Sequence, residues 1–293
     1  MSLSLVTNTG AMMVRTNFNN ATAQMNTAME RMTTGYKINQ AKDNAAGYNI
    51  MDTMTAKIGS FEVAYDNCQI GLDMLTTAEE NYALITSHLQ RVRDLTEQAA
   101  NGTYSTDSLL AIRAEIEARL NEIDRVAKIS EYNGLNLMDG TGPGAEDTII
   151  QAGIHGSSSS RITLSKDLFL KVDCTELMGA NATTLATQFA RIADDGTLQA
   201  ADSSAESLST IDDAIVDIAT RVTNLGAAQN RLESAMTAID TNVQSLTKSR
   251  GTIRDADVAE ESTNFISYQI LQSAAATLMA TANQTPSIAL QLI

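Results

Sequence analysis

Residues 208–246 read LSTIDDAIVDIATRVTNLGAAQNRLESAMTAIDTNVQSL, and this stretch decides the fold. Its large apolar residues recur at intervals that alternate between three and four, with one polar interruption at Gln229. A repeat of about 3.5 residues held this long is typical of a helix in a coiled coil or bundle. At about 1.5 Å per residue, the helix is roughly 60 Å long. The pattern therefore predicts a rod, and Gln229 is either a tolerated polar residue or one that fixes the register between helices.

We call each such line of apolar residues a seam, and two more occur in the first half of the chain. The second spans residues 61–92 with a gap at Glu79, through which we expect the helix to continue, and the third spans residues 109–126. Between them, residues 100–107 contain an Asn-Gly pair and three residues that can cap a helix. A connection this short makes its two helices antiparallel neighbours. The sequence thus predicts a mainly α protein with a long antiparallel three-helix rod, packed by Phe61, Leu72, Leu89, Ile116, Leu120, Ile215, Ile218, Val222 and Leu232.

The middle of the chain has a different pattern. Residues 134–144 are rich in glycine and turn residues, and residues 148–151 and 161–164 are short β-prone stretches on either side of a Gly/Ser turn. This arrangement predicts a small β-hairpin, and residues 169–172 are a candidate third strand. From residue 177 the pattern weakens, with only isolated helical turns expected before the long seam begins.

Composition and charge exclude several classes of function. The net charge of −15 argues against nucleic acid, whose phosphates require cations, and against anionic membrane surfaces. No run of the sequence approaches the length of a transmembrane helix. The first residues lack the basic flank and apolar core of a secretory signal peptide. We therefore expect either a cytoplasmic protein or export without a cleaved signal.

The residues that usually carry catalysis are few and scattered. His88 and His155 have no partner at the spacing of a zinc site. Cys68 occupies a seam position and is expected to be a small buried hydrophobic residue, while Cys174 has no cysteine or histidine nearby. We expect both thiols to be free. The acidic pairs of the sequence are better explained as solvated helix faces, so neither an enzyme activity, a metal nor a cofactor is expected.

The two ends of the chain carry specific motifs. Residues 30–50 read ERMTTGYKINQAKDNAAGYNI, and residues 253–261 read IRDADVAEE. They closely resemble the N- and C-terminal signatures of bacterial flagellins. Further matching motifs lie in order along the chain at residues 89–95, 120–126, 269–272 and 282–284. One departure is Arg250-Gly-Thr252, where the family usually has Ser-Arg, and it affects the expected hinge between the last two helices.

The resemblance implies a domain organisation for this chain. Residues 1–44 and 251–293 would pair as an inner helical coiled coil, and residues 45–175 and 205–250 would form the rod with its hairpin. Residues 176–204 would be a short central connection without a large outer domain. Isolated helices of such modest apolarity are marginal, so ordering of the ends is expected to accompany assembly. The residues expected to pack the inner coiled coil during assembly are Met25, Met32, Ile266, Ile270 and Leu278.

The resemblance also implies a function and a set of partners. The chain would be the structural subunit of an extracellular flagellar filament, would be exported unfolded by the flagellar type III system and would polymerise with itself. An export chaperone, the filament cap and the hook–filament junction proteins would be its other bacterial partners. The hook–filament junction protein is the alternative assignment, because it shares both terminal signatures.

A last implication concerns recognition by a host receptor. Flagellins are detected by Toll-like receptor 5 through an Arg and a Leu of the Leu-Gln-Arg-Val-Arg-x-Leu motif and a Glu on the following helix. The matching residues here are Arg91, Leu95 and Glu115. From the sequence alone, Arg91 and Glu115 are better explained as solvated helix charges, and Leu95 as the end of a seam. The resemblance reverses that preference, because the motif is intact.

Overall fold

Long helices account for most of this computed structural model, which describes residues 8–101, 103–173, 177 and 200–290. The long helices of the described residues are α1 (Thr9–Thr34), α2 (Ala45–Ala99), α3 (Thr106–Ile129), α4 (Ala200–Arg254) and α5 (Val258–Leu290). The chain divides into two compact units. Unit 1 contains Met1–Ile58 and Gln244–Ile293, and unit 2 contains Gly59–Val243. The domain boundaries inferred from the sequence remain predictions. Cys174 and the helical turns expected after residue 177 lie outside the described residues.

The helices begin and end where the sequence supplies capping residues. The side chains of Asn8, Ser105 and Asp257 accept hydrogen bonds from backbone N–H groups at the starts of α1, α3 and α5. Ser105 is therefore the cap among the three candidates before α3. Gly35 has a φ of 74° and ends α1, because a residue without Cβ adopts this left-handed conformation at little cost. These caps satisfy backbone groups that a helix end leaves unpaired.

The apolar seams of α2, α3 and α4 form the core of unit 2. As predicted, α2 continues through Glu79, and its seam residues are shielded from solvent, as are those of α3 and α4. The mainly α class with a helical rod and a small β region is thus confirmed. The largest fully buried side chains of these helices are Tyr82, Leu75, Ile85, Leu89, Leu95, Ile116, Ile123 and Ile211.

The buried line on α4 departs from the line of its large apolar residues. Every second predicted seam residue is fully buried, as at Ile211 and Ile218, while Ile215 and Val222 are only partly buried. Between these large residues, the buried line includes small or cationic residues that the seam did not contain, such as Ala214 at 0% and Arg221 at 8% exposure. The Arg221 guanidinium donates to the carbonyls of residues 170 and 171, and pairs with Asp217 one turn earlier. Arg221 therefore holds the segment after the hairpin against α4.

The polar gaps of two seams meet in the structure. The side-chain amide Nε2 of Gln229 on α4 donates to a carboxylate oxygen of Glu79 on α2, at 2.8 Å. Both side chains are half-buried, in a line that is otherwise apolar. A polar pair in such a seam is satisfied in only one register. This pairing favours the explanation in which Gln229 fixes the register between helices.

Two antiparallel hairpins follow α3. Strands β3 (Thr148–Gln151) and β4 (Arg161–Leu164) pair as the sequence predicted, with Thr148 opposite Leu164. A shorter pair, β1 (Glu131–Tyr132) and β2 (Leu135–Asn136), was not anticipated. Its turn is Asn133-Gly134, with φ of 50° and 81°, and an Asn-Gly dipeptide is the usual signal for such a turn.

The prediction of a third strand at residues 169–172 was wrong. Lys166–Phe169 forms a 3-10 turn, no strand follows it at residues 170–173, and Phe169 and Val172 are both fully buried although they lie three positions apart. In a strand, residues three apart lie on opposite faces, so one core could not bury both. The Tyr82 hydroxyl donates to the Leu168 carbonyl at 3.1 Å, and burial raises the pKa of this tyrosine.

In unit 1, α1 and α5 form an antiparallel pair. Hydrogen bonds and one ion pair join them along their length: Asn8 to Ala282, Gln272 to Thr22 and Arg31 to Glu261. Their most protected positions recur at intervals of three and four, as expected of a two-helix coiled coil. On α1 these are residues 11, 14, 18, 21, 25, 28 and 32; on α5 they are residues 261, 265, 268, 272, 275, 279 and 282.

A clasp of backbone and side-chain contacts joins residues 35–37 to residues 252–256. Tyr36 and Asp255 form a β-bridge, and the Arg254 guanidinium lies 3.5 Å from the centre of the Tyr36 ring. Lys37 Nζ donates to the Thr252 carbonyl at 3.0 Å. The unusual Arg250-Gly-Thr252 segment is helical, and α4 continues through it to Arg254.

Candidate assembly surface

The residues predicted to pack the rod lie in unit 2, where two degrees of burial are found. Leu89, Ile116, Ile218 and Leu232 are fully buried in one apolar cluster. The remaining members are partly buried and pack against that cluster: Phe61, Leu72, Leu120, Ile215 and Val222. Unit 2 therefore shields its seams with its own helices.

The terminal helices α1 and α5 present a different surface. Met12 and Met13 of α1 are 63% and 69% exposed, although both are large and apolar. On α5, exposure above one half extends over Ile266, Ile270, Leu271 and Leu278. Soluble monomers rarely keep long lines of large apolar side chains in water, and such faces commonly mark interaction sites. We refer to these residues of α1 and α5 as the outer faces.

The five residues predicted to pack the inner coiled coil lie on two different surfaces. Met25 and Met32 lie in the interface between α1 and α5. Ile266, Ile270 and Leu278 instead belong to the outer face of α5. Their role in assembly stays a prediction. The side of α5 that packs against α1 uses Phe265, Tyr268 and Met279, which the sequence analysis did not select. The available signal was the line of residues 261, 265, 268, 272, 275, 279 and 282, in which intervals of three and four alternate.

A shallow notch lies beside the outer faces, where α1 meets α5. Met29, Met32, Thr33 and Phe265 line it, and most of its surface is apolar. Methionine is flexible and polarisable, so a notch of this composition adapts to apolar side chains of different shapes. The notch extends the apolar surface of unit 1.

The predicted receptor residues Arg91 and Glu115 are paired with each other. The Arg91 guanidinium lies 2.9 Å from a Glu115 carboxylate oxygen, across the interface of α2 and α3. The pair stands at the surface, and hydrogen bonding by Arg91 lowers the pKa of Glu115. Arg119 adds a second cation 3.8 Å from the same carboxylate. Its position four residues after Glu115 was a signal in the sequence for this contact.

The third predicted receptor residue, Leu95, is buried. Only 2% of its surface is exposed, and it packs in the core of unit 2. Such a residue supports the surface from beneath, because it fixes the position of the helix turn that carries Arg91. A role for Leu95 in direct contact would require α2 to move.

Other kinds of site receive no support from the described residues. Within the described ranges, no group of three or more His, Cys, Asp or Glu side chains is arranged to hold a metal ion. None of the described helices is long and apolar enough to cross a membrane. Cys68 is a free, buried thiol, and burial raises its pKa. The most distinctive feature of the described residues is therefore the apolar outer faces of α1 and α5.

The fold and these faces define a class, that of long helical structural proteins. A solved structure assigned as a flagellar hook-associated protein of Vibrio parahaemolyticus shares the fold, with a TM-score of 0.61 over 73% of this chain and all of that one. Their sequences are 13% identical, so this likeness concerns the fold alone.

Sequence comparisons identify the family. The profile of the bacterial flagellin N-terminal helical region matches residues 5–142, and that of the C-terminal helical region matches residues 208–293. Flagellin of Bacillus subtilis is 33% identical over 95% of both chains, and flagellin of Listeria monocytogenes is 31% identical over 92% of both. The chain belongs to the bacterial flagellins, the structural subunits that polymerise into the flagellar filament.

Proposed function

We propose that this chain polymerises by burying the outer faces of α1 and α5 against other copies of itself. The observation that carries the proposal is the exposure of Ile266, Ile270 and Leu278, on a helix whose other side is already packed against α1. Burial of apolar surface contributes about 25 cal/mol per Å². A polymer that covers both helices along their length thus gains a large driving force.

Removal of α5 tests this proposal. A variant lacking residues 260–293 keeps the seams of unit 2, so we expect a soluble, helical monomer that does not polymerise. The parent protein, dissociated with acid and returned to neutral pH, should form filaments visible by negative-stain electron microscopy. Filaments of the truncated protein would contradict the proposal.

A pair of point variants separates the outer face from the rest of α5. Ile270→Glu places a carboxylate on the outer face, which would then be buried without a partner in the polymer. Gln269→Glu adds the same charge at the adjacent exposed position without removing an apolar group. We expect Ile270→Glu to prevent polymerisation and Gln269→Glu to permit it. Equal polymerisation of both would remove the outer face from the interface.

Export through the flagellar type III system is part of the same proposal. An apolar face that is exposed before assembly is an aggregation hazard, which favours a dedicated chaperone that covers α5 until export. Residues 1–44 would carry the uncleaved export signal. Fusion of these residues to a reporter tests this directly, because secretion should require an intact flagellar export apparatus. Secretion from cells without that apparatus would contradict it.

The filament subunit is favoured over the hook–filament junction protein. Similarity to the Vibrio structure fits either protein, since it concerns the fold alone. The similarity to curated flagellins over more than nine-tenths of the chain supports the filament subunit. The filament cap and the junction proteins are then its expected neighbours at the two ends of the polymer.

Recognition by Toll-like receptor 5 is the second proposed activity. The surface pair Arg91–Glu115 lies within the family motif for this receptor, and Leu95 supports it from the core. We propose that the receptor binds this pair in the monomer and that polymerisation covers it. The arginine offers a planar, forked set of donors that lysine or alanine does not supply.

Binding of purified receptor ectodomain tests this assignment. Arg91→Ala is expected to weaken binding, while Arg125→Ala serves as the control, because Arg125 also pairs with a glutamate of α3 but lies outside the motif. Equal affinity of Arg91→Ala and parent would exclude Arg91 from the site. Filaments are expected to bind less receptor per subunit than monomers do.

A further inference from the structure

A line of exposed apolar side chains follows α2 within unit 2. Val63, Ile70 and Leu84 are 59%, 54% and 45% exposed, and seven or fourteen residues separate them. Residues seven apart lie on the same face of a helix. The core-facing positions of α2 lie elsewhere, at residues such as Ala64, Cys68 and Leu75. We call Val63, Ile70 and Leu84 the α2 stripe, and it adds nothing to the core of unit 2.

A row of carboxylates borders the α2 stripe. Asp66, Asp73 and Glu80 are exposed and repeat with the same seven-residue spacing. Among the described residues, none of the three forms an ion pair with lysine or arginine; Asp73 instead accepts a hydrogen bond from Gln69. A surface that is apolar on one side and acidic on the other is complementary to an apolar surface that carries cations.

The end of α3 offers a surface of this complementary kind. Ile129 is 59% exposed, and its neighbour Lys128 is exposed and has no ion pair with any described residue. A contact between two different patches of identical chains is heterologous, and repetition of it gives an open helical polymer. We propose that the α2 stripe with its acidic row is a docking surface for a second copy of this chain, whose Lys128 and Ile129 bind there. The proposal rests on the filament function and adds a contact outside the terminal helices.

The size of the α2 stripe determines what it does. Three half-exposed side chains cover far less than the roughly 800 Å² per partner of a standard stable interface. The stripe therefore does not hold a dimer in dilute solution. It acts once the terminal helices have brought copies together, and its contribution appears as a lower critical concentration for polymerisation.

Two glutamate variants of α2 provide the test. Ile70→Glu introduces a charge into the stripe, whereas Ala83→Glu introduces one at an exposed position of α2 outside it. We expect Ile70→Glu to raise the critical concentration about tenfold or more, equivalent to about 1.4 kcal/mol per subunit, and Ala83→Glu to leave it unchanged. Thermal melting of both monomers should match the parent, because both sites are exposed. If Ile70→Glu melts early, Val63→Glu is to be measured in its place.

The partner surface is tested in the same assay. Ile129→Glu should raise the critical concentration as Ile70→Glu does, and Lys128→Glu should raise it less. Parental polymerisation by the stripe variants would overturn the docking surface, and parental polymerisation by Ile129→Glu would overturn its assigned partner. Failure of the parent protein itself to polymerise would instead contradict the filament function, so the two failures are distinguishable.

Discussion

Unit 2 and the terminal helix pair of unit 1 use similar patterns of apolar residues to different ends. In unit 2 three helices surround the seam, and residues such as Leu75, Ile116 and Ile218 have no exposed surface. In the pair of α1 and α5 the buried apolar positions are alanines, including Ala28 and Ala275, and several large aliphatic side chains, such as Ile270, are more than half exposed. Two helices cover only one side of each other, whereas three enclose a core. Unit 2 is thus complete in the monomer, and the terminal pair requires further chains.

The largest expected effect comes from breaking the completed core. Ile218→Asp buries a carboxylate without a partner and is expected to destabilise unit 2 by about 3–5 kcal/mol. Val216→Asp is the matched control, because this residue lies two positions earlier on α4 and is 64% exposed. Thermal unfolding measures both. Similar melting temperatures for the two variants would contradict the enclosed core.

A smaller effect is expected where the β3–β4 hairpin meets α2. A Cβ at Gly71 would overlap the side chain of Ile150, whereas a Cβ at Gly59 meets nothing within 4 Å. Alanine in place of an exposed helical glycine stabilises by about 1 kcal/mol. We expect Gly59→Ala to raise the free energy of unfolding by about that amount. Gly71→Ala should lower it by a similar amount, because Ile150 must move. Equal stabilisation by both substitutions would mean that the hairpin does not pack closely on α2.

The hydrogen-bonded pair of Gln229 and Glu79 is expected to contribute less to stability than the preceding contacts. A double-mutant cycle with Gln229→Ala and Glu79→Ala is expected to give an interaction energy of about 0.5–1 kcal/mol. Chemical denaturation of the four proteins provides the measurement. A coupling within experimental error of zero would return Gln229 to the status of a tolerated polar residue.

The smallest effect concerns the surface pair of Arg91 and Glu115. Because Arg91 lowers the pKa of Glu115 in the folded chain, the pair stabilises at neutral pH. Its contribution is lost as the pH falls below the usual carboxyl value of 4.5 and through the lower folded value. An NMR titration should find the pKa of Glu115 higher in Arg91→Ala than in the parent. An unchanged pKa would show that the two side chains are not paired in solution.

The sequence predicted the parts of the fold that large apolar residues and turn dipeptides specify. The seams of α2, α3 and α4 and the β3–β4 hairpin followed from spacing alone. The buried line on α4 did not, because it includes Ala214, Arg221 and Ala228 beside the predicted residues. Small residues are buried where helices approach closely, and an arginine is buried only because backbone carbonyls and Asp217 are within its reach. Such partners are visible only in three dimensions.

The candidate surfaces were predictable to a similar degree. Arg91 and Glu115 were selected from a motif, but their mutual ion pair and the burial of Leu95 depend on how α2 and α3 pack. On α5 the large aliphatic residues Ile266, Ile270 and Leu278 were selected for assembly, and the sequence did not show that other residues of α5 pack against α1. Periodicity indicates which residues share a face, but it does not indicate which of two apolar faces is covered inside one chain.

Amide hydrogen exchange, measured by mass spectrometry on monomer and filament, tests most directly the claim that unit 2 is complete and the terminal pair is not. Slow exchange requires enclosed, stable hydrogen bonds. Peptides from residues 75–92 should be protected in both states, while peptides from residues 9–34 and 258–290 should become protected only in the filament. Terminal helices that exchange as slowly as residues 75–92 in the dilute monomer would contradict the claim.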